Sequence, residues 1–186
     1  MKRSLVGLDR DGTINKDSGH FGKSDLWYKE LEIYPGVAEG IKLLNEKNIY
    51  VVVITNQAGV ARGYFDCERV KEINKEIDKR FRKNGAKIDE WYFCPYVNKE
   101  YFLKRDLPVN DSWILPNNEG RKPKIGMLKE ACRDLGLKLE ETNIFVIGDK
   151  QSDVQTGVNA GGRGYLVDMK NHPEEFLNIC KEINLK

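Results

Sequence analysis

Residues 4–15 read SLVGLDRDGTIN, a run of small and apolar residues that ends in two acids, Asp9 and Asp11. The run has the length and composition of a buried β-strand. Similar apolar runs recur at 49–55 (IYVVVIT), 88–94 (IDEWYFC), 143–149 (NIFVIGD) and 164–168 (GYLVD). The second and fourth runs are continuously apolar rather than alternating, which is typical of strands covered on both faces of a parallel sheet.

The segments between these runs carry the apolar periodicity of amphipathic helices. The apolar stripes fall at 37–44, 70–81, 128–135 and 176–180. Strand followed by helix, several times over, predicts an α/β fold: an open, mostly parallel sheet with helices on both faces. We expect a single domain over residues 1–186 without a separate cap domain, because no helical insertion follows either of the first two strands.

Composition bounds the class of protein. Among 186 residues, 31 are basic and 29 acidic, for a formal net charge of +2, which counts against a nucleic-acid-binding protein. No apolar run approaches the roughly 20 residues that a membrane span needs. The sequence opens without a signal peptide, and its four cysteines form no CxxC pair. We therefore expect a cytoplasmic, monomeric protein without disulfides.

Polar residues follow three of the predicted strands, and ligands of open parallel sheets bind beyond the carboxyl ends of the strands. The polar segments are 9–11, 55–57 and 149–153, with GRKPK at 120–124 on the same side by topology. Asp9 and Asp11 lie two apart, so on an extended segment both would project to one face while Arg10 points the other way.

Several carboxylates brought together without partners would be costly, so a cation is implied. For the oxygen ligands Asp9, Asp11 and Asp149 the fitting ion is Mg²⁺. One acid could then act as the nucleophile towards a phosphate, and the second as the acid and base. The competing reading is structural, since acids at strand ends are often turn residues and Asp-Gly is a common turn pair. The occurrence of all these groups at one sheet edge favours function.

Four motifs together resemble the haloacid dehalogenase superfamily of phosphatases. They are LDRDGTIN, VVVITNQAGVARGYF, RKPKIGM and VIGDKQSD, and the resemblance covers residues 4–168. Within the superfamily, the chain is most similar to the branch of D-glycero-D-manno-heptose 1,7-bisphosphate phosphatase and histidinol-phosphate phosphatase. The resemblance implies a Mg²⁺-dependent phosphomonoesterase that acts through an aspartyl-phosphate on a small phosphorylated metabolite.

The resemblance also implies roles for the acids. Asp9 corresponds to the nucleophile and Asp11 to the general acid and base. Asp149 corresponds to the third protein ligand of Mg²⁺, beside Asp9 and the backbone carbonyl of Asp11.

Further residues are implied in holding the substrate. Thr55 and Lys122 correspond to the groups that hold the transferred phosphoryl group, and Lys122 is preferred to Lys124 because it occupies the lysine position of the RKP motif. The implied substrate contacts are Asp17, Ser18, Gly19, His20, Asn56, Arg121 and Lys150.

The chain departs from this branch at the zinc loop, which has the form Cys-x-His and later Cys-x-Cys before RKP. Here Cys94 is present, but Tyr96 stands at the histidine position and NNEG precedes Arg121. A single thiolate does not hold a tetrahedral Zn²⁺. We therefore expect no zinc, and a metal-free, aromatic loop at 95–120 that lies over the substrate. This departure puts the identity of the substrate in question more than the chemistry.

Three other functions remain open. The segments TNQAGVARG and GDK make heptose bisphosphate the first choice of substrate, and histidinol phosphate is second, because SDLWYKELEIYPGV at 24–37 resembles that relative. The phosphatase module of polynucleotide kinase-phosphatases shares the two acids, the TNQ strand end and the RKP segment, which would make the chain a 3′-phosphatase. A non-enzymatic scaffold is disfavoured, because the nucleophile and the metal-ligand positions are all present. His172, in the C-terminal region, is expected to be inert.

Overall fold

The computed structural model describes residues 2–17, 19, 21–105, 107 and 110–184. Its five strands form one parallel sheet in the order β3-β2-β1-β4-β5, so the first strand lies at the centre. The strands are β1 Ser4–Leu8, β2 Tyr50–Asn56, β3 Glu90–Cys94, β4 Asn143–Gly148 and β5 Arg163–Leu166. All five coincide with the apolar runs, and the predicted fold class is confirmed.

The helices alternate with the strands as the stripes predict. They are α1 Trp27–Glu30, α2 Val37–Glu46, α3 Ala58–Ala61, α4 Cys67–Lys83, α5 Lys99–Leu103, α6 Gly126–Asp134, α7 Gln151–Asn159 and α8 His172–Asn184. Short 3-10 turns lie at Asp111–Trp113 and Leu139–Glu141. In the described part of the chain, no helix combines the length and apolarity needed to cross a membrane.

Both faces of the sheet are covered. On β2, Val51 and Val53 pack into a core with α2, α4 and α8, whereas Val52 and Ile54 pack into a second core with α6. Ala160, at the end of α7, packs against the second core. Because every side chain of the central strands meets a helical layer, these strands are apolar throughout rather than alternating.

The sheet register brings the strand ends together. Leu8 of β1 pairs with Val53 of β2 and with Ile147 of β4. Just beyond it, the Asp9 amide donates to the Ile147 carbonyl at 2.9 Å. The polar residues that follow β1, β2 and β4 therefore meet at one edge of the sheet, as the sequence predicts.

The tract 95–120, which lacks periodicity in the sequence, is nevertheless structured. Val97 pairs with Ile114, and Ala61, Val97 and Phe102 form a small third core. The Asn98 side chain caps α5 by accepting from the Tyr101 amide at 3.0 Å. The helix has five residues, too few for a periodic apolar pattern to be visible in the sequence.

Hydrogen bonds around Cys94 close this loop onto the sheet. The Asn118 Nδ2 lies 3.0 Å from the Cys94 Sγ and donates to the Tyr96 carbonyl at 3.1 Å. The Asn118 Oδ1 accepts from the Gly120 amide at 3.1 Å. A neutral, buried amide thus links the two ends of the loop, at the positions where the sequence pattern of related phosphatases places zinc ligands.

We expect Phe102→Ala to open this loop without unfolding the sheet, because Phe102 fills the small third core rather than either main one. Hydrogen exchange at the Val97 and Leu115 amides, which bond across the loop, should accelerate about tenfold or more. Exchange within β2 should be unaffected. The neighbouring Leu103→Ala removes an exposed side chain and serves as the control; equal acceleration in both variants would contradict a packing role for Phe102.

Candidate active site

Asp9 lies at the carboxyl end of the central strand and is almost fully buried. Its Oδ1 accepts from the Arg10 amide at 2.8 Å and lies 2.9 Å from the Lys122 Nζ. Its Oδ2 lies 3.8 Å from the Lys150 Nζ. The carboxylate therefore lies between two ammonium groups.

The chain turns immediately after Asp9. The Arg10 carbonyl accepts from the amides of Thr13, Ile14 and Asn15. Gly12 has a positive φ of 93°, and a Cβ there would lie 2.5 Å from an oxygen of Asp149. Glycine is required at this position both by the backbone conformation and by the carboxylate that approaches it.

Arg10 does not point away from Asp11, and that expectation was wrong. The Arg10 Nε and Nη2 bond the two Asp11 oxygens at 3.0 and 2.8 Å, and its Nη1 donates to Asn74 of α4 at 2.8 Å. The strand rule fails because β1 ends at Leu8, so residues 9–11 belong to the turn. Arg10 is fully buried and connects the turn to α4.

Asp11 also accepts from Asn15 at 3.1 Å and from Gln57 at 2.8 Å. Burial alone would raise the pKa of Asp11, but the charge and hydrogen bonds of Arg10 outweigh it, and the net direction is downwards. In this arrangement Asp11 is an ionised acceptor.

Lys122 is a buried lysine beside Asp9. Its Nζ lies 2.9 Å from Asp9 and 2.6 Å from Asp153, both buried. Burial would lower the pKa of Lys122, but the two carboxylates raise it overall. Asn56 holds the Lys122 backbone from both sides, accepting from its amide at 3.0 Å and donating to its carbonyl at 3.1 Å. Lys124 instead pairs with Glu119 outside the site.

Asp149 and Asp153 lie beside Asp9, and ligand oxygens of the three all lie within 4.8 Å of one another. Burial, followed by the charge of Asp9, raises the pKa of Asp149 to about 6. Sequence reasoning did not assign Asp153 to the site. The sequence feature that could have identified Asp153 is its position near the start of a helix. It is the third residue of α7, where its Oδ2 accepts from the Lys150 amide at 3.0 Å.

The oxygens near Lys150 fit a hard divalent cation. The Lys150 Nζ lies 3.2 Å from Asp149 Oδ1, 3.4 Å from the Asp11 carbonyl and 3.8 Å from Asp9 Oδ2. These are the three groups from which the sequence predicts a Mg²⁺ site, and one cationic group already faces all of them. Asp153 differs from them because both of its oxygens are bound by nitrogen donors.

A cavity of about 370 Å³ opens over these groups. Its lining residues are Asp9, Asp11, Asp17, Gly19, Phe21, Thr55, Asn56, Gln57, Ala58, Gly59, Arg62, Tyr64, Phe65, Tyr101, Arg105, Arg121, Lys122, Lys150, Ser152 and Asp153. The Gln57 Nε2 donates to the Thr55 Oγ1 at 2.9 Å, and so links the threonine to Asp11. The sequence placed Gln57, like Asp153, at this edge of the sheet but assigned it no role in the site.

The residues predicted to contact substrate are mostly brought together. Asp17, Gly19, Asn56, Arg121 and Lys150 line the cavity. Ser18 and His20 lie outside the described residues. The Asp17 Oδ1 accepts from the Gly19 amide at 2.9 Å, which fixes the turn at the cavity wall.

His172, expected to be inert, supports the catalytic turn. It is the first residue of α8, it is buried, and its Nε2 lies 2.7 Å from the Thr13 carbonyl. Its ring stacks on Tyr34 with centroids 3.7 Å apart. Burial lowers the pKa of His172. The neutral ring, protonated on Nε2, therefore donates to the backbone two residues beyond Asp11.

Comparisons with known proteins show the family of the chain. Residues 4–174 match the family described as polynucleotide kinase 3 phosphatase. The chain is 32% identical over 165 residues to D-glycero-beta-D-manno-heptose-1,7-bisphosphate 7-phosphatase of Haemophilus ducreyi, covering 87% of this chain and 80% of that protein. It is 34% identical over 185 residues to D-glycero-D-manno-heptose-1,7-bisphosphate 7-phosphatase of Chlorobaculum tepidum, covering 96% and 83%.

A solved structure is similar over nearly the whole chain. The crystal structure of D,D-heptose 1,7-bisphosphate phosphatase from B. bronchiseptica, complexed with magnesium and phosphate, superposes with a TM-score of 0.73 at 25% identity. The match covers 97% of each chain.

We expect Asp149→Asn to stabilise the metal-free protein. Because the pKa of Asp149 is raised from 3.8 to about 6, its ionised form costs stability as the pH rises through about 6. Screening by solvent limits the gain to about 1 kcal/mol near neutral pH, and the gain should vanish below pH ~4. Denaturant unfolding in EDTA measures it. Equal stability of wild type and Asp149→Asn at every pH would contradict the prediction that the ionised Asp149 carboxylate destabilises the metal-free protein.

We expect His172→Phe to lower the free energy of unfolding by about 1 kcal/mol near neutral pH, because the Thr13 carbonyl loses its donor while the stacked ring is kept. The folded-state pKa of His172 is depressed, so its protonation favours the unfolded chain as the pH falls below about 6.5. The gap between wild type and variant should therefore narrow towards pH ~5. A gap that widens on acidification would refute this assignment of the neutral ring.

Proposed function

We propose that this chain, which belongs to the polynucleotide kinase 3 phosphatase family of haloacid dehalogenase-type phosphatases, is a Mg²⁺-dependent phosphomonoesterase acting on a sugar bisphosphate. The observation that carries the proposal is the setting of Asp9. Its carboxylate stands at the end of the central strand, in a cavity, between the ammonium groups of Lys122 and Lys150. An anion can attack a phosphate only where positive charge surrounds the transferred group.

In the first step, an Asp9 oxygen forms a bond to phosphorus while the bond from phosphorus to the ester oxygen breaks. Lys122 and the Thr55 hydroxyl would hold the transferred phosphoryl oxygens. Asp11 is ionised in the present arrangement, so it must first take up a proton from solvent, and it then gives that proton to the leaving oxygen. For this role the Asp11 carboxyl must leave Arg10, which binds it in the present arrangement.

In the second step, water attacks the aspartyl-phosphate and passes its proton to the Asp11 carboxylate. The bond between phosphorus and the Asp9 oxygen breaks, which releases phosphate and restores Asp9. The lowered pKa of Asp11 suits the ionised state that this step requires.

Mg²⁺, when bound, neutralises the charge that develops on the transferred phosphoryl group. The residues placed to hold it are Asp9, Asp149 and the backbone carbonyl of Asp11, which converge around the Lys150 Nζ. Asp153 supports the site indirectly, because it anchors both Lys122 and the first turn of α7.

The relatives support heptose 1,7-bisphosphate as the substrate, since those reported above carry that name. Histidinol phosphate and a polynucleotide 3′-phosphate are the alternatives. We also propose that residues 1–186 act as one phosphatase domain, because Asp9, Thr55 and Asp149 lie at or just beyond the ends of strands of a single sheet. A monomeric state and a cytoplasmic location stay predictions of the sequence.

The test is phosphate release from purified protein with Mg²⁺ and with EDTA. The substrates are both anomers of heptose 1,7-bisphosphate, histidinol phosphate and a 3′-phosphorylated oligonucleotide. We expect Mg²⁺-dependent turnover that is highest on a heptose bisphosphate. Asp9→Asn should reduce kcat by at least about 10³-fold, because it removes the nucleophile. Asp168→Asn, outside the cavity, is the matched control. Turnover by Asp9→Asn at the wild-type rate would contradict the proposal. If histidinol phosphate or the oligonucleotide were turned over faster than heptose bisphosphate, that compound would be the preferred substrate.

A further inference from the structure

Three arginines converge on one aromatic ring in the wall of the cavity. The guanidinium carbons of Arg105, Arg62 and Arg121 lie 4.0, 5.2 and 5.3 Å from the centre of the Tyr101 ring. Arg62 also donates to the Tyr101 hydroxyl. The three arginines come from separate segments, after α3, after α5 and before α6, and all of them line the cavity that contains Asp9.

Two arginines of this cluster, Arg105 and Arg121, lack a carboxylate partner among the described residues. Burial lowers the pKa of Arg121, and the neighbouring charges of Arg105 and Arg62 lower it further. The hydrogen bonds of Arg105 and Arg121 go to backbone carbonyls, of Tyr101 at 3.3 Å and of Tyr96 at 3.5 Å. Guanidinium groups gathered in this way form a binding site for an oxyanion.

The cluster is distinct from the site of chemistry within the same cavity. Around Asp9 the cations are lysines, and each of them is paired with carboxylates. Around Tyr101 the cations are arginines, whose planar donors match a phosphate group in two places at once. One cavity therefore contains two anion-binding regions. The first would bind the phosphate that reacts, and the second would bind a second phosphate group.

The loop at 95–120 holds Tyr101 and Arg105 in place. Phe102, between them in α5, is fully buried in the small third core, and the Arg105 amide donates to its carbonyl at 3.0 Å. The Asn118 bonds to Cys94 and Tyr96 link the two ends of the loop. This loop thus supplies part of the cavity wall.

We propose that Arg105, stacked on Tyr101, binds a second phosphate of the substrate and selects bisphosphates over monophosphates. Arg62 and Arg121 complete the cluster around this phosphate. The inference rests on the proposed function and deepens it, because it assigns the discrimination between substrates to residues of this chain's own loop. Arg105 is a specificity residue and takes no part in the transfer at Asp9.

The experiment compares heptose 1,7-bisphosphate with heptose 7-phosphate, which differ only in the second phosphate. For wild type, kcat/KM should be higher on the bisphosphate. Arg105→Ala should lower the ratio of the two kcat/KM values about tenfold or more, through KM on the bisphosphate. Lys104→Ala removes an adjacent, exposed charge that lies outside the cavity, and should keep the wild-type ratio.

Binding to Asp9→Asn protein provides a test that does not depend on turnover. Calorimetric titration with the same two ligands should show tighter binding of the bisphosphate. In this background, Arg105→Ala should reduce the ratio of the two affinities at least about tenfold. Equal affinities for the two ligands, or a preference that survives Arg105→Ala, would overturn the inference. If wild type hydrolyses both substrates without discrimination, the inference fails while the phosphatase function stands. If wild type hydrolyses neither, the proposed function fails and the titration still decides the inference.

Discussion

Three carboxylates at one edge of the sheet impose the main constraint on this structure. Asp9, Asp149 and Asp153 place ligand oxygens within 4.8 Å of one another, and the facing cations are Lys122 and Lys150. Three negative charges against two positive ones leave a deficit in a partly buried site, where uncompensated charge is expensive. A bound cation offsets this deficit, and the surrounding backbone leaves space for the carboxylates. A side chain at Gly12 would collide with Asp149, and one at Gly148 with Asp153.

Neutral amides hold the charged groups in position. Asn56 fixes the backbone of Lys122, Gln57 joins Thr55 to Asp11, and Asn74 orients Arg10 from α4. An amide can donate and accept at the same point without adding charge, so it can order a crowded ionic site at low electrostatic cost. The acids and lysines perform the proposed chemistry, and these amides decide where each of them lies.

The loop at 95–120 is held against the sheet by packing and hydrogen bonds. The resemblance implies that a metal stabilises the corresponding loop of related phosphatases. In this chain, a buried core around Phe102 and the hydrogen bonds of Asn118 hold the segment. Packing of this kind leaves Tyr101 and Arg105 at the cavity wall. A change in how a loop is stabilised can therefore change which side chains it presents to the substrate.

The sequence by itself determined the sheet, its helices and the edge at which the chemistry lies, because apolar runs and strand ends are local signals. Such signals predicted that Asp9, Thr55 and Asp149 lie at this edge, and the RKP motif singled out Lys122. Tertiary structure decided the rest. In the folded chain, Arg10 binds Asp11, and Asp153 pairs with Lys122. Lys122 lies in the site, whereas Lys124 pairs with Glu119 outside it. His172, in the last helix, contacts the Thr13 carbonyl. Each of these outcomes depends on contacts between residues distant in the chain or on where a strand ends within a turn. A linear pattern contains no distance between such residues, so only the folded chain could set them.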